Sequence, residues 1–114
     1  PHPPIEFKNI MQKFSETLVT LKSEAAISKI EIFSQSGALI GKIENKPGSS
    51  GSVKVYNHLY LEFGEINAEA ALKGLEIFSE YTEEAKINPG SHPNIDRLFD
   101  VINDHKVLKI KIIK

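Results

Sequence analysis

Two hydrophobic periods divide this chain, and their order limits the folds open to it. From Ile27 to Phe33 apolar and charged residues alternate, with Ile30 and Ile32 on one side and Lys29 and Glu31 on the other. Lys106 to Lys114 alternates again, with Leu108, Ile110 and Ile112 opposed to Lys109 and Lys111. A period of two belongs to a strand buried on one face. Between these stretches apolar residues recur every three or four positions. One set is Tyr56, Leu59, Tyr60 and Phe63. A second is Ala71, Leu75, Phe78 and Ala85, flanked by Leu72 and Tyr81. A third is Ile95, Leu98, Phe99 and Ile102. That spacing is the stripe of an amphipathic helix. It also marks Phe7, Ile10, Met11, Phe14, Leu18 and Leu21, a first helix that Ser23 to Ala26 ends.

Turn chemistry supplies the boundaries. Gln35-Ser36-Gly37 reads as the turn of a hairpin whose second strand is Ala38 to Glu44. Gly41 inside that strand marks a bulge or a close backbone approach. Val53 to Leu61 is rich in strand formers, yet the Tyr56/Leu59/Tyr60/Phe63 spacing and the stop at Gly64 decide for a helix capped by Ser52. Asn67 caps the next helix, with Glu69 in its first turn. Gly74, costly in mid-helix, implies tight packing against a neighbour. Asn88-Pro89-Gly90 ends that helix, and Pro93 suits the first position of another. The predicted fold is α+β, a three-stranded, mostly antiparallel sheet with helices packed on one face, in the order α-β-β-α-α-α-β.

A length of 114 residues suits a single domain over 1–114, with 1–4 as a disordered tail. The formal charge is −1, and no basic surplus argues for a nucleic-acid partner. The chain has no cysteine, which excludes disulfides, thiol catalysis and thiolate metal sites. Its apolar runs are too short for a bilayer, and Pro1-His2-Pro3-Pro4 does not open a signal peptide. The expected location is the cytoplasm, with no membrane contact.

Two loops built alike carry the candidate chemistry. Asn45-Lys46-Pro47-Gly48-Ser49-Ser50-Gly51-Ser52 and Asn88-Pro89-Gly90-Ser91-His92-Pro93-Asn94 each hold a Pro-Gly-Ser step before a helix. Helix starts offer unpaired N–H groups and partial positive charge, which suit an anion. Ser49, Ser50 and Ser52 add hydroxyls, and Lys46 and Asn45 add polar reach. The loop is no P-loop, because Val53 follows Ser52 where a Gly-Lys-Ser/Thr ending is required. In the second loop His92 can move a proton, and Arg97 can clamp a carboxylate or phosphate. Asp96 can orient the imidazole; the alternative is that Asn94 or His92 caps the helix, Asp96 favours its dipole and Arg97 points to solvent. The expectation is one anion site with Asn45, Lys46, Ser49, Ser50, Ser52, His92, Asn94 and Arg97 as ligand-binding residues, Lys46 and Arg97 approaching the same cavity. No catalytic set, metal site or cofactor is expected. His58 and Glu62 read as a surface pair.

Three stretches together resemble a known family: Gly41 to Ser49, Phe63 to Ala71, and Asn88 to Leu98. The family is the short uncharacterised bacterial proteins filed as domain of unknown function 2322. The resemblance runs from Ile27 to the C-terminus and implies a bacterial, single-domain protein. It carries no activity. The leading expectation is therefore a small bacterial module binding an anionic or phosphate-containing small molecule. The alternatives are a protein-interaction or homodimeric accessory protein using its sheet and the Tyr56/Tyr60 helix, and, behind both, an enzyme with His92 as acid/base.

Overall fold

The computed structural model describes residues 13–21 and 26–114. Helix α1 spans Phe14–Leu18, the described part of the first amphipathic stripe; residues 7–12 of that stripe, the expected tail at 1–4 and most of its expected end at 23–25 lie outside the described residues. The hairpin follows as β1 (Lys29–Phe33) and β2 (Leu39–Glu44), then helices α2 (Ser50–Phe63), α3 (Ala68–Phe78), α4 (Glu80–Ile87) and α5 (Pro93–Asn103), then β3 (Lys109–Ile113). The sheet has the order β2-β1-β3, antiparallel throughout. The α+β order expected from periodicity holds. One expected helix is broken into α3 and α4 at Ser79, where φ is 52° and ψ −113°. Thr82 Oγ1 donates to the Leu75 carbonyl at 2.5 Å, satisfying an acceptor at the break. The break sets Tyr81 and Glu84 beside the second loop.

The register places Ile30 opposite both Ile43 and Ile112, and Ile32 opposite Gly41 and Ile110. Ile30, Ile32, Ile43 and Ile110 are buried, which makes this the core face. Lys29, Glu31, Lys42 and Lys111 share the other face, with Glu31 in register with Lys42 and Lys111. Between Ile32 and Phe33 the register slips past Ile40, so β2 carries the anticipated bulge next to Gly41.

Helix α2 packs against β1, β2 and α3, so it is buried on more than one stripe. Val53, Val55, Tyr56 and Leu59 are buried, while Tyr60 and Phe63 are only partly so. The sequence spacing left out Val53 and Val55 because it assumed one apolar face; Tyr60 and Phe63 do pack against the core. The helix also starts earlier than Ser52: Ser49 is its N-cap, and Val53 N–H already bonds the Ser49 carbonyl at 3.1 Å. Gly48, at φ +95°, turns the chain into this start. Gly74 behaves as its cost implied. A Cβ there would lie 2.7 Å from Leu98 and 2.9 Å from Leu59, so α2, α3 and α5 meet over a missing side chain. Leu98 is wholly buried at that junction, whereas Leu75, Phe99, Ile102 and Ile112 pack at the core's margin.

Candidate functional site

The two similar loops converge. A hollow of about 460 Å³ is walled by Ser50, Gly51 and Ser52 from the start of α2, by His92 and Asn94 from the start of α5, and by aromatic rings including Phe14 and Tyr81. Its size is that of small-molecule sites. Among the described residues no backbone acceptor reaches the N–H groups of Gly51, Ser52 or Asn94, and neither N-cap supplies a side-chain oxygen. Three uncommitted donors from two helix starts therefore border one space, where both helix dipoles favour negative charge.

His92 is held in place. Its Nε2 donates to Glu84 Oε1 at 2.8 Å, and its ring meets Tyr81 edge-on at 5.5 Å between centroids. Nδ1 has no partner among the described residues. The orienting carboxylate is thus Glu84 and not Asp96, whose Oδ2 accepts from Gly90 N–H at 2.9 Å and braces the loop itself. Phe14 closes the apolar side. It stacks on Phe78 at 5.3 Å, meets Tyr81 edge-on, and lies so near α2 that a Cβ on Gly51 would stand 3.1 Å from its ring.

The remaining residues of the expected site are placed elsewhere. Lys46 Nζ lies 3.5 Å from Glu44 Oε1 at the surface. Asn45 Nδ2 donates to the Ile27 carbonyl at 2.7 Å, and Ser49 Oγ to the Glu44 carbonyl at 2.6 Å. Both tie the loop to the sheet. Arg97 is committed to the interior: Nη1 donates to Asn94 Oδ1 at 2.9 Å and to the Tyr56 hydroxyl at 3.2 Å, with its guanidinium 5.7 Å from the Tyr56 ring centroid. A Cβ on Gly41 would lie 3.2 Å from Nη2, so the glycine leaves room for the guanidinium against β2. The two cations expected around one anion therefore point to different places, and among the described residues no lysine or arginine lines the hollow.

Tyr56 is the hub of that arrangement. Its hydroxyl donates to the Asn94 carbonyl at 2.5 Å. Burial pushes the hydroxyl up to about 12, against the opposing pull of the Arg97 charge and hydrogen bond. The Tyr56/Tyr60 surface proposed for partner binding is thus unavailable at Tyr56, which is wholly buried.

Sequence reasoning missed Glu84, Tyr81 and Phe14 at this site. Glu84 sits in an acidic run that reads as a solvated face, and nothing local signals a contact eight residues onward. A larger hollow of about 690 Å³, lined by Thr20, Lys73, Glu76 and Glu83 among others, receives none of the loop residues. Among the described residues no three His, Asp or Glu side chains gather as a metal site, and no helix is long and apolar enough to cross a membrane.

A family model described as an uncharacterized protein conserved in bacteria (DUF2322) matches residues 14–112. No curated protein and no solved structure matches the chain.

Proposed function

We propose that this chain, which belongs to that family of bacterial proteins, is a binding module for a small molecule carrying a carboxylate or phosphate group. The observation that supports the reading is the convergence of the Gly51, Ser52 and Asn94 N–H groups, without a backbone acceptor among the described residues, with His92 on one hollow of about 460 Å³. The anion is held by backbone donors, serine hydroxyls and the imidazole. The Phe14/Tyr81 side takes an apolar or planar portion of the same ligand. Glu84 fixes the ring of His92 and keeps added negative charge at the rim, which selects against large polyanions.

A thermal-shift panel of inorganic phosphate, sugar phosphates, nucleotides and di- and tricarboxylates tests this. A ligand at about 100 times its Kd adds about 2.7 kcal/mol of apparent stability, so the melting temperature rises by several degrees. His92→Ala removes that rise while leaving the unliganded melting temperature nearly unchanged. No shift with any anion, or equal shifts in parent and variant, defeats the proposal.

One observation favours a second reading, an accessory protein that pairs through its sheet. Leu39 and Ile40 on the edge strand β2 are 57% and 52% exposed. Sedimentation across a hundredfold concentration range separates the two readings. A monomer throughout removes the second.

A further inference from the structure

A separate hollow of about 320 Å³ opens between α5 and the bulged end of β2. Asp96, Arg97, Asp100 and Val101, at helical spacing on α5, form one wall, and Ile40 and Lys106 border it too. Among the described residues it shares only Pro93 with the hollow at His92. Three irregularities meet here. Ile40 is the extra residue of the bulge and is 52% exposed, a large apolar side chain at the rim. Gly41 lacks the Cβ that would stand 3.2 Å from Arg97 Nη2, so the strand makes room for the guanidinium. Arg97 itself is half-buried, yet no carboxylate pairs with it among the described residues. Its Nη1 serves the Tyr56 hydroxyl and Asn94 Oδ1, both neutral, while Nε and Nη2 have no hydrogen-bond partner there. A cation taken partly out of water without a counter-charge is disfavoured. Asp100, one turn on, is exposed, and its carboxylate is also without a partner among the described residues.

We propose that this hollow binds a free α-amino acid with an aliphatic side chain. The charges of its lining balance, Arg97 and Lys106 against Asp96 and Asp100. A simple anion would meet two carboxylates, and a simple cation two positive groups. A zwitterion offers each its opposite. Asp96 and Lys106 already have uses, since Asp96 Oδ2 accepts from Gly90 N–H and Lys106 Nζ lies 3.6 Å from Asp104. Arg97 and Asp100 are the uncommitted pair. The ligand carboxylate takes the guanidinium edge that carries Nε and Nη2, where two parallel hydrogen bonds form. The ligand ammonium turns to Asp100. The side chain rests on Ile40 and Val101. A volume of about 320 Å³ lies at the small end of ligand sites, which suits leucine, isoleucine or valine better than a larger molecule. This recognition chemistry does not depend on the anion site.

The full chain labelled with ¹⁵N tests the proposal with three probes: L-leucine, N-acetyl-L-leucine and L-leucinamide. Leucine is expected to shift the Ile40, Gly41 and Val101 amide resonances and the Arg97 Nε–H resonance saturably. The acetyl derivative lacks the ammonium and the amide derivative lacks the carboxylate, so each is expected to bind weaker by about tenfold or more. Asp100→Asn is expected to weaken leucine by about the same factor at an unchanged melting temperature, because Asp100 is exposed and holds nothing else. Arg97→Lys keeps the charge but loses the fork, and is expected to weaken leucine likewise. Should that variant fail to fold, Ile40→Ser at the exposed rim keeps the guanidinium and is expected to weaken leucine but not to change the ratio between leucine and its two derivatives. Shifts that do not saturate, derivatives that bind as well as leucine, or parental affinity in Asp100→Asn each overturn the proposal. So do shifts centred on Gly51, Ser52 and His92, which would put leucine in the other hollow.

Discussion

The two Pro-Gly-Ser loops look like copies in the sequence, yet the structure treats them oppositely. The second is braced from three sides. Asp96 holds Gly90, Glu84 holds His92, and Tyr56 with Arg97 holds Asn94. The first is held by the Asn45 and Ser49 side chains on backbone carbonyls and by its own backbone turn, in which the Ser49 and Ser50 N–H groups donate to the Lys46 carbonyl. Its helix start keeps free N–H groups at Gly51 and Ser52. The hollow is thus bordered on one side by a braced imidazole and on the other by the start of α2. The comparison teaches that likeness of loop sequence sets the turn, while the neighbours set the stiffness.

The largest expected effect tests the frame behind the braced loop. Leu98→Ala opens a void where α5 meets α2 and α3, and should cost about 2–5 kcal/mol in denaturant unfolding. A cost near zero would mean the second loop does not depend on that junction.

Tyr56→Phe comes next. It removes the hydroxyl that donates to the Asn94 carbonyl and accepts from Arg97 Nη1, and should cost about 1–3 kcal/mol, since one of the two lost bonds is to a charged group. It also carries a pH signature. The folded-state value of about 12 exceeds the ordinary 10, so the folded protein holds this proton more tightly than the unfolded chain. The stability it confers is complete below the ordinary value and falls as pH rises toward the raised one, at about 1.4 kcal/mol per pH unit. Parent minus variant, followed by chemical denaturation in alkaline buffers, should show that slope. Parallel curves would break the claim that Tyr56 is the hub.

Asp96→Ala should cost about 1 kcal/mol, the loss of one hydrogen bond to Gly90 at the surface. Amide exchange should quicken at Gly90 and His92 but not in the first loop. Smallest of all, Lys46→Ala should change stability by less than about 0.5 kcal/mol, since its contact with Glu44 is an exposed ion pair. It should also leave anion binding unaltered, because Lys46 does not line the hollow. Equal sensitivity of the two loops would erase the contrast between them.

The fold was legible where its signals are local. Alternation located β1 and β3, Asn67 was found as a cap whose Oδ1 accepts from Ala70 N–H at 2.9 Å, and Pro93 opens α5. The break at Ser79 was not legible, since Ala71, Leu75, Phe78 and Ala85 continue one helical spacing across it. Nor was the start of α2, because three serines within four residues are equal candidates for a cap by composition. Within the candidate site, Ser50, Ser52, His92 and Asn94 were named from two similar loops, and their meeting at one hollow was decided by packing. The roles of Lys46, Arg97 and Asn45 did not, because long polar side chains reach in many directions until packing chooses one.

Unaided, the amino-acid order determined the strands, the helical stretches and their sequence, though not the break at Ser79, because period and turn chemistry act over a few residues. The tertiary structure alone decided which partner each polar tip found. Arg97 went to Tyr56 because Gly41 leaves space beside it, and His92 turned to Glu84 because Ser79 bends the chain. Hydrogen bonding and charge act over a few ångströms, and only packing brings residues so far apart in the chain to those distances.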